Sequence, residues 1–432
     1  MEMRNWITDH KDVILDDLLS VLAIESVEGE PLPGMPNGKN VNEALERMLK
    51  IGEGYGFRTG NIDGHAGYIE YGEGDDYVGV LGHLDIVPVG TGWTRNPLGE
   101  VHGDSVYGRG TTDDKGPMVA SLHGLIALRE SGLPLKHRIR LIFGTSEETG
   151  GPDIHTYLSK EKPPVSGFTP DADFPAINAE MGILIFSLEK HLPGTDLLEA
   201  EGGTAVNMVP AQASMRLREK DGEVTLKAEG VSAHGSTPEK GENAIWKLVD
   251  EALSRGLDPA LKETLRLIQY NLCQDTDGKA LGVDLSDDES GKLVQNFGLL
   301  SFKDEVLKLG INIRYPVTFR ADDVLVKVRD VFEKEGFTFT LEAHSEPLFY
   351  PKDNDLIQKL MGVYHEVTGD TSGPLAIGGG TYAKEMPNIV AFGPQLPGRR
   401  DTVHQADESI TIADLLLCAE IYARAMYELA RA

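Results

Sequence analysis

Residues 77–82, YVGVLG, are apolar or glycine at every position, and His83 and Asp85 follow at once. A run of that length without a polar break reads as a strand buried on both faces, and such strands belong to sheets with helices on each side. Beyond it lies a glycine-rich segment that includes GRGTTDDKG at 108–116 and leads into a helix-like pattern at 117–131. In an open α/β sheet, side chains just past a strand's carboxyl end line the ligand crevice. His83 and Asp85 are two apart and point to the same side of an extended chain. An imidazole whose other nitrogen is gripped by a carboxylate is the usual form of a metal-bound histidine. An HxD pair or an Asp-Asp-Lys-Gly turn is common surface chemistry by itself; their order within one stretch, 82–117, is what makes them specific.

The same alternation continues. Strands are predicted at 66–71, 77–82 and 137–143, preceded by helices at 4–24 and 40–53 that flank a Pro/Gly-rich loop at 28–38. This is the pattern of an α/β domain with a mainly parallel sheet. The run RIRLIF (138–143) leads into GTSEETG, which carries Glu147 and Glu148. Neighbours on a strand face opposite ways, so these two share a site only from a loop, and the surrounding glycines permit one. FTPDADFP (168–175) adds Asp171 and Asp173, and a strand follows at 182–188. The character then changes. Strands are predicted at 211–217, 223–229, 309–319 and 336–342, and helices at 241–255, 258–271 and 321–335, with no comparable carboxylate cluster. We therefore expect residues 187–343 to be an inserted α+β domain, and 1–186 and 344–432 to form the first domain. The resumed part has a helix at 354–368, a GGGT turn at 378–381, a strand at 388–392, a loop to His404 and a helix at 410–430.

A chain of 432 residues exceeds one ordinary core. Its formal net charge of −28 disfavours nucleic acid and anionic membranes as partners. No apolar run reaches the ~18 residues of a membrane span, and the first residues lack the apolar core of a signal peptide. Cys273 and Cys418 read as core fillers rather than as a disulfide or as ligands. A cytoplasmic protein with small partners is expected.

His83, Asp113, Glu147, Glu148, Asp171 and His404 remain as a set. Two histidines with several carboxylates and no cysteine favour a borderline-hard divalent ion, Zn²⁺ first, with Mn²⁺ or Co²⁺ as alternatives. Two such ions ~3.5–4 Å apart need a carboxylate that bridges them. The pair polarises a carbonyl and turns a bridging water into hydroxide, while a spare carboxylate moves the proton. That inventory suits amide hydrolysis.

GHLDIVPVG with Trp93, YGRGTTDDKGP, GTSEETGG, FTPDADFP, SAHGSTPEKGENA, NIRYP, GGGTY and HQADE, in this order over nearly the whole chain, resemble the M20 metallopeptidase family and its PepV-like dipeptidase branch. The resemblance implies His83 and Asp171 on one metal, Glu148 and His404 on the other, and Asp113 bridging. It also implies Glu147 as general base, Asp85 clamping His83, and a cis peptide at Asp113–Asp114. Aspartate rather than glutamate at Asp171 points to a substrate with a free amino end; Asp173 is the neighbour with which it is most easily confused. By the same resemblance 1–186 and 344–432 would be the catalytic domain and 187–343 its lid, from which His234 would donate to the oxyanion and Asn207 and Arg314 would hold the substrate, Arg314 by its carboxylate. Gly379 and Gly380 would offer main-chain donors to the same end. The expected activity is a dipeptidase acting on small peptides, with an N-acyl amino acid deacylase of the same fold as the alternative. The segment between Asn207 and His234 is shorter than the PepV-like pattern, yet the insert is larger than the single dimerising lid of simpler relatives; a monomer with a two-part lid is expected ahead of a homodimer in which His234 serves the neighbouring subunit.

Overall fold

The computed structural model describes residues 2–431. The chain forms two compact units. One comprises Met1–Asn178, Tyr350–Leu375 and Thr381–Ala432; the other comprises Ala179–Phe349 and Ala376–Gly380.

The first unit is built on a six-stranded sheet, in the order Arg58–Ile62, Ala66–Tyr71, Arg138–Gly144, Tyr77–His83, Ser166–Thr169, Ile389–Ala391. The last four strands are parallel neighbours, and the first two join as an antiparallel edge. All seven residues of Tyr77–His83 are buried, because Lys39–Gly54, Lys115–Glu130 and Ile412–Ala430 pack on the sheet. Val80, Leu141, Phe143, Phe168 and Val390 share one core with Met118, Leu122, Leu415 and Tyr422. Gly82 shows how tightly the site end is packed. A Cβ there would lie 1.9 Å from Asp114 Oδ2 and 2.4 Å from Met118 Sδ, so only glycine lets the start of the helix sit on the strand end.

At the amino end the expected single helix is two, Glu2–Asp9 and Lys11–Leu22. They break at His10, whose Nδ1 lies 2.7 Å from the Trp6 carbonyl and whose ring stacks on Trp6 at 4.0 Å. The His10 N–H donates to the same carbonyl at 3.0 Å, so the two helices are separated by this one residue.

The second unit holds a seven-stranded antiparallel sheet, in the order Gly222–Glu229, Gln212–Glu219, Leu197–Gly202, Val294–Lys303, Val306–Tyr315, Gly182–His191, Thr338–Ser345. Leu184, Phe186, Leu188, Leu309 and Ile311 pack with Leu248, Leu265 and Val328 from its helices. Ion pairs such as Glu199–Arg216–Glu223 and Glu189–Lys308–Glu342 decorate exposed positions of the sheet. That is the division of an antiparallel sheet with one solvated face.

The unit boundaries differ from those expected. Gly182–His191 and Thr338–Ser345 pair along their lengths, so they cannot be divided at 186 or 343. The segment 376–380, expected with the catalytic part, belongs to the second unit. There Met181 N–H donates to the Ile377 carbonyl at 3.0 Å and Arg314 donates to the Gly378 carbonyl at 2.8 Å. No helix among the described residues is long and apolar enough to cross a membrane. Both cysteines are free, Cys418 buried and Cys273 partly so.

Candidate metal centre

His83 ends the central strand with its ring fully buried. Its Nε2 is 2.9 Å from Asp113 Oδ1 and 3.9 Å from Asp171 Oδ2. Its Nδ1 faces Asp85, 3.0 Å from the main-chain carbonyl and 3.4 Å from carboxylate Oδ1. A proton held on Nδ1 by Asp85 keeps Nε2 aimed at the carboxylates, where it would offer its lone pair to a cation on losing its own proton. The Asp85 carboxylate also accepts the N–H groups of Glu147 and Glu148, at 3.3 and 3.1 Å. One side chain thus holds both the imidazole and the turn after the neighbouring strand.

His404 arrives from the loop before the last helix, with φ of 61°. Its Nε2 is 2.9 Å from Asp113 Oδ2 and 3.2 Å from Glu148 Oε1. The two oxygens of Asp113 therefore face two different histidines. The Asp113–Asp114 peptide is cis, and the Asp114 carboxylate accepts the His83 N–H at 3.2 Å. Two overlapping sets of possible ligand atoms, His83 with Glu147 and Asp171, and His83 with Asp113 and Glu148, each lie within 4.8 Å of one another. Asp173 lies outside them: it is exposed and pairs with Gln395 in a short strand.

Burial pushes Glu147 up to about 8, with the charges of Asp113, Glu148 and Asp85 adding to it against the pull of His83. Burial, then Asp113, hold Asp171 well above the carboxylate range. His404 is raised to about 10 by its hydrogen bonds to Asp113 and Glu148. Burial lowers the His83 imidazole, but Asp113 and Asp85 outweigh it and hold the ring well above its ordinary value. The pocket thus gathers more carboxylate than two imidazolium rings offset. Imidazole nitrogen with carboxylate oxygen and no thiolate suits borderline-hard divalent cations.

The sequence reading missed the residues behind these. Asp153 accepts from the Thr145 and Ser146 N–H groups at 2.7 and 3.0 Å and from the Tyr382 hydroxyl at 2.5 Å, bracing the turn that carries Glu147 and Glu148. Glu408 does similar service under the Asp113 loop. Tyr382 and Glu408 both sit in motifs already noted, GGGTY and HQADE.

Asn207, His234, Arg314, Gly379 and Gly380 belong to the second unit. Arg314 is buried, donates to Asn312 Oδ1 at 3.0 Å and to the Gly378 carbonyl at 2.8 Å, and is lowered to about 10 by burial. Gly379 and Gly380 directly follow that carbonyl. His234 is exposed; its Nδ1 lies 2.6 Å from Ser236 Oγ and accepts the Ser236 N–H at 3.3 Å. A nitrogen that accepts a main-chain N–H carries no proton, so Nε2 holds the ring's hydrogen. The Asn207 carbonyl accepts the Gly235 N–H at 2.7 Å.

Residues 79–428 match the model of peptidase family M20/M25/M40. The "Putative dipeptidase YtjP" of Bacillus subtilis is 39% identical over 99% of this chain and 100% of its own length. "Putative dipeptidase SH1171" of Staphylococcus haemolyticus is 34% identical over 99% of each. Among solved structures, human carnosine dipeptidase 1 is similar with a TM-score of 0.60 at 17% identity, covering 99% of each chain; this is a likeness of fold.

Proposed function

The chain belongs to peptidase family M20/M25/M40, and on that premise we propose that it is a cytoplasmic dipeptidase that cleaves the one peptide bond of small substrates with a free amino end. His83 and Asp171 would hold one divalent ion, Glu148 and His404 a second, and Asp113 both, with Zn²⁺ ahead of Mn²⁺ or Co²⁺. The observation that carries this reading is Asp113, whose two oxygens lie 2.9 Å from two separate imidazole nitrogens. When bound, such ions polarise a carbonyl oxygen and lower the pKa of water.

The rest of the chemistry lies with the chain. Asp85 keeps the His83 Nδ1 proton in place and so keeps Nε2 aimed at the carboxylates. Glu147 takes the proton of the attacking water and returns it to the leaving amine. In the metal-free pocket its carboxyl is pushed up to about 8 by burial and the neighbouring carboxylates; bound cations would draw it back toward the ionised form that a base needs. Arg314, buried and donating to Asn312 Oδ1 and the Gly378 carbonyl, suits the substrate's terminal carboxylate, because its planar fork binds that group bidentately. Asn207, Gly379 and Gly380 would add polar contacts to the substrate. His234, with its proton on Nε2, would donate to the developing oxyanion. The names of the curated relatives support the dipeptidase over the deacylase.

The test is metal-stripped protein refilled with Zn²⁺, Mn²⁺ or Co²⁺ and assayed on free dipeptides beside N-acetyl amino acids. Metal-dependent cleavage of dipeptides is the expected result. Turnover of the N-acetyl compounds alone would replace the peptidase with a deacylase.

A further inference from the structure

Glu408 is fully buried, four residues after His404, and every residue from 108 to 112 makes a hydrogen bond to it. Its Oε1 accepts the N–H groups of Gly110 and Thr112, each at 3.0 Å, and the hydroxyls of Thr112 and Thr111, at 3.1 and 3.4 Å. Its Oε2 accepts Arg109 Nη1 at 2.6 Å, and its main-chain carbonyl accepts the Gly108 N–H at 3.0 Å. The next residue along this loop is Asp113.

We propose that Glu408 is a positioning residue that fixes the spacing between the Asp113 loop and His404; the proposal rests on the two-metal reading above. Asp113 and His404 are far apart in sequence and on separate loops. His83, by contrast, is set by a central strand. His404 and Asp407 both have positive φ, 61° and 59°, a conformation that residues other than glycine rarely hold without support. Two consecutive carboxylates give that support. Asp407 accepts the N–H groups of Thr94 and Arg95 at 2.8 and 3.1 Å and the Thr94 hydroxyl at 2.8 Å. Glu408 takes the loop 108–112 on the other side. Arg109, held by Glu408, lies with its guanidinium carbon 5.4 Å from the Trp93 ring centre, which brings the 93–95 turn into the same assembly.

A buried ion pair adds little net stability against the cost of desolvating it, and its better-attested use is to specify one geometry. Arg109–Glu408 alone would read as such a brace. The four further donors on Oε1 give Glu408 its direction, because they order the main chain immediately before Asp113. Loss of this carboxylate frees two buried N–H groups there and lets the two Asp113 oxygens drift from their partners. The ion shared with His404 then suffers first, since His83 keeps its strand and its Asp85 contact.

The experiment compares wild type with Glu408→Gln, which preserves shape but turns an amide toward either Arg109 or the loop donors, and with Glu408→Ala. Tightness of each metal equivalent is read by chelator competition. Amide hydrogen exchange of 108–112 is read on metal-free protein, and kcat and KM are read on a dipeptide. In folded Glu408→Gln we expect the weaker equivalent to lose roughly 10–100-fold in affinity. We also expect faster exchange at 110–112, and kcat to fall while KM holds within about twofold. If the alanine variant does not fold, the glutamine variant carries the test. A folded Glu408→Gln that keeps both equivalents, slow exchange and kcat makes Glu408 a brace for the fold alone and overturns the proposal. Wild type that takes up fewer than two ions overturns the two-metal reading, and the positioning role with it.

Discussion

Asp85 and Glu148 are joined by a hydrogen bond from the Glu148 N–H to Asp85 Oδ2 at 3.1 Å, while the other oxygen of the same carboxylate lies 3.4 Å from His83 Nδ1. Two strand ends are thereby tied through one side chain. Asp85→Ala should loosen both, lowering metal affinity and kcat/KM by roughly 10–100-fold. Chelator titration and steady-state kinetics check this; unchanged metal affinity would reduce Asp85 to a loop brace.

Glu147→Gln should leave metal uptake near that of wild type and lower kcat by roughly 10²–10⁴-fold, the range of a lost general base. Metal content and kcat measured on one preparation decide it. A variant that binds metal and hydrolyses at the full rate removes Glu147 from the proton path.

The metal-free pocket should weaken as pH rises. Glu147 is raised from 4.5 to about 8 and His404 from 6.5 to about 10. In both cases the folded form holds a proton that the unfolded chain has already lost, so stability falls with pH across those windows. Denaturant midpoints of chelator-treated protein should therefore drop between about pH 6 and about pH 9, with metal-loaded protein dropping less. For the same reason metal uptake near neutral pH should release on the order of two protons, since ligating imidazoles must be neutral. Calorimetry in buffers of different ionisation enthalpy would detect that release, and uptake without it would contradict protonated histidines in the empty pocket.

Arg314→Met should raise KM for free dipeptides roughly 10–100-fold, as expected for a charge-assisted hydrogen bond of about 1.5–3 kcal/mol. Dipeptide amides, which lack the carboxylate, should show little difference between variant and wild type. Equal losses on both substrates would assign Arg314 to holding the Gly378 carbonyl instead.

Tyr382→Phe removes the hydroxyl that donates to the buried Asp153 carboxylate at 2.5 Å. The expected cost is about 1–3 kcal/mol from the weakened acceptor network, read from denaturant unfolding, with a smaller effect on KM.

How much of this could be read from the sequence depended on how local the signal was. His83 follows an unbroken apolar run, and Glu147 and Glu148 follow another, so their place at strand ends needed only periodicity. The edge strand Arg58–Ile62 escaped notice because RTGNI buries only Ile62; a half-exposed edge has no apolar pattern to read. Glu408 and Asp153 were missed for a different reason. Their partners are up to 299 residues away or lie on a turn whose shape periodicity does not predict, and an acidic residue in a loop looks solvated until the fold closes over it. The roles of Asp171 over Asp173, and of His234 and Arg314, came from motif resemblance rather than spacing. The structure adds that Asp171, and not Asp173, faces His83.

The assignment of 376–380 to the second unit has a consequence for dissecting the molecule. The chain passes between units after 178, 349, 375 and 380, so the smaller piece is not a cassette that can be cut out and grafted elsewhere. A fragment of 179–349 produced alone would leave the Arg314 fork without the Gly378 oxygen it holds and Met181 without its Ile377 partner. Transplanting this lid onto another scaffold therefore requires splicing in a second, separate ribbon of five residues.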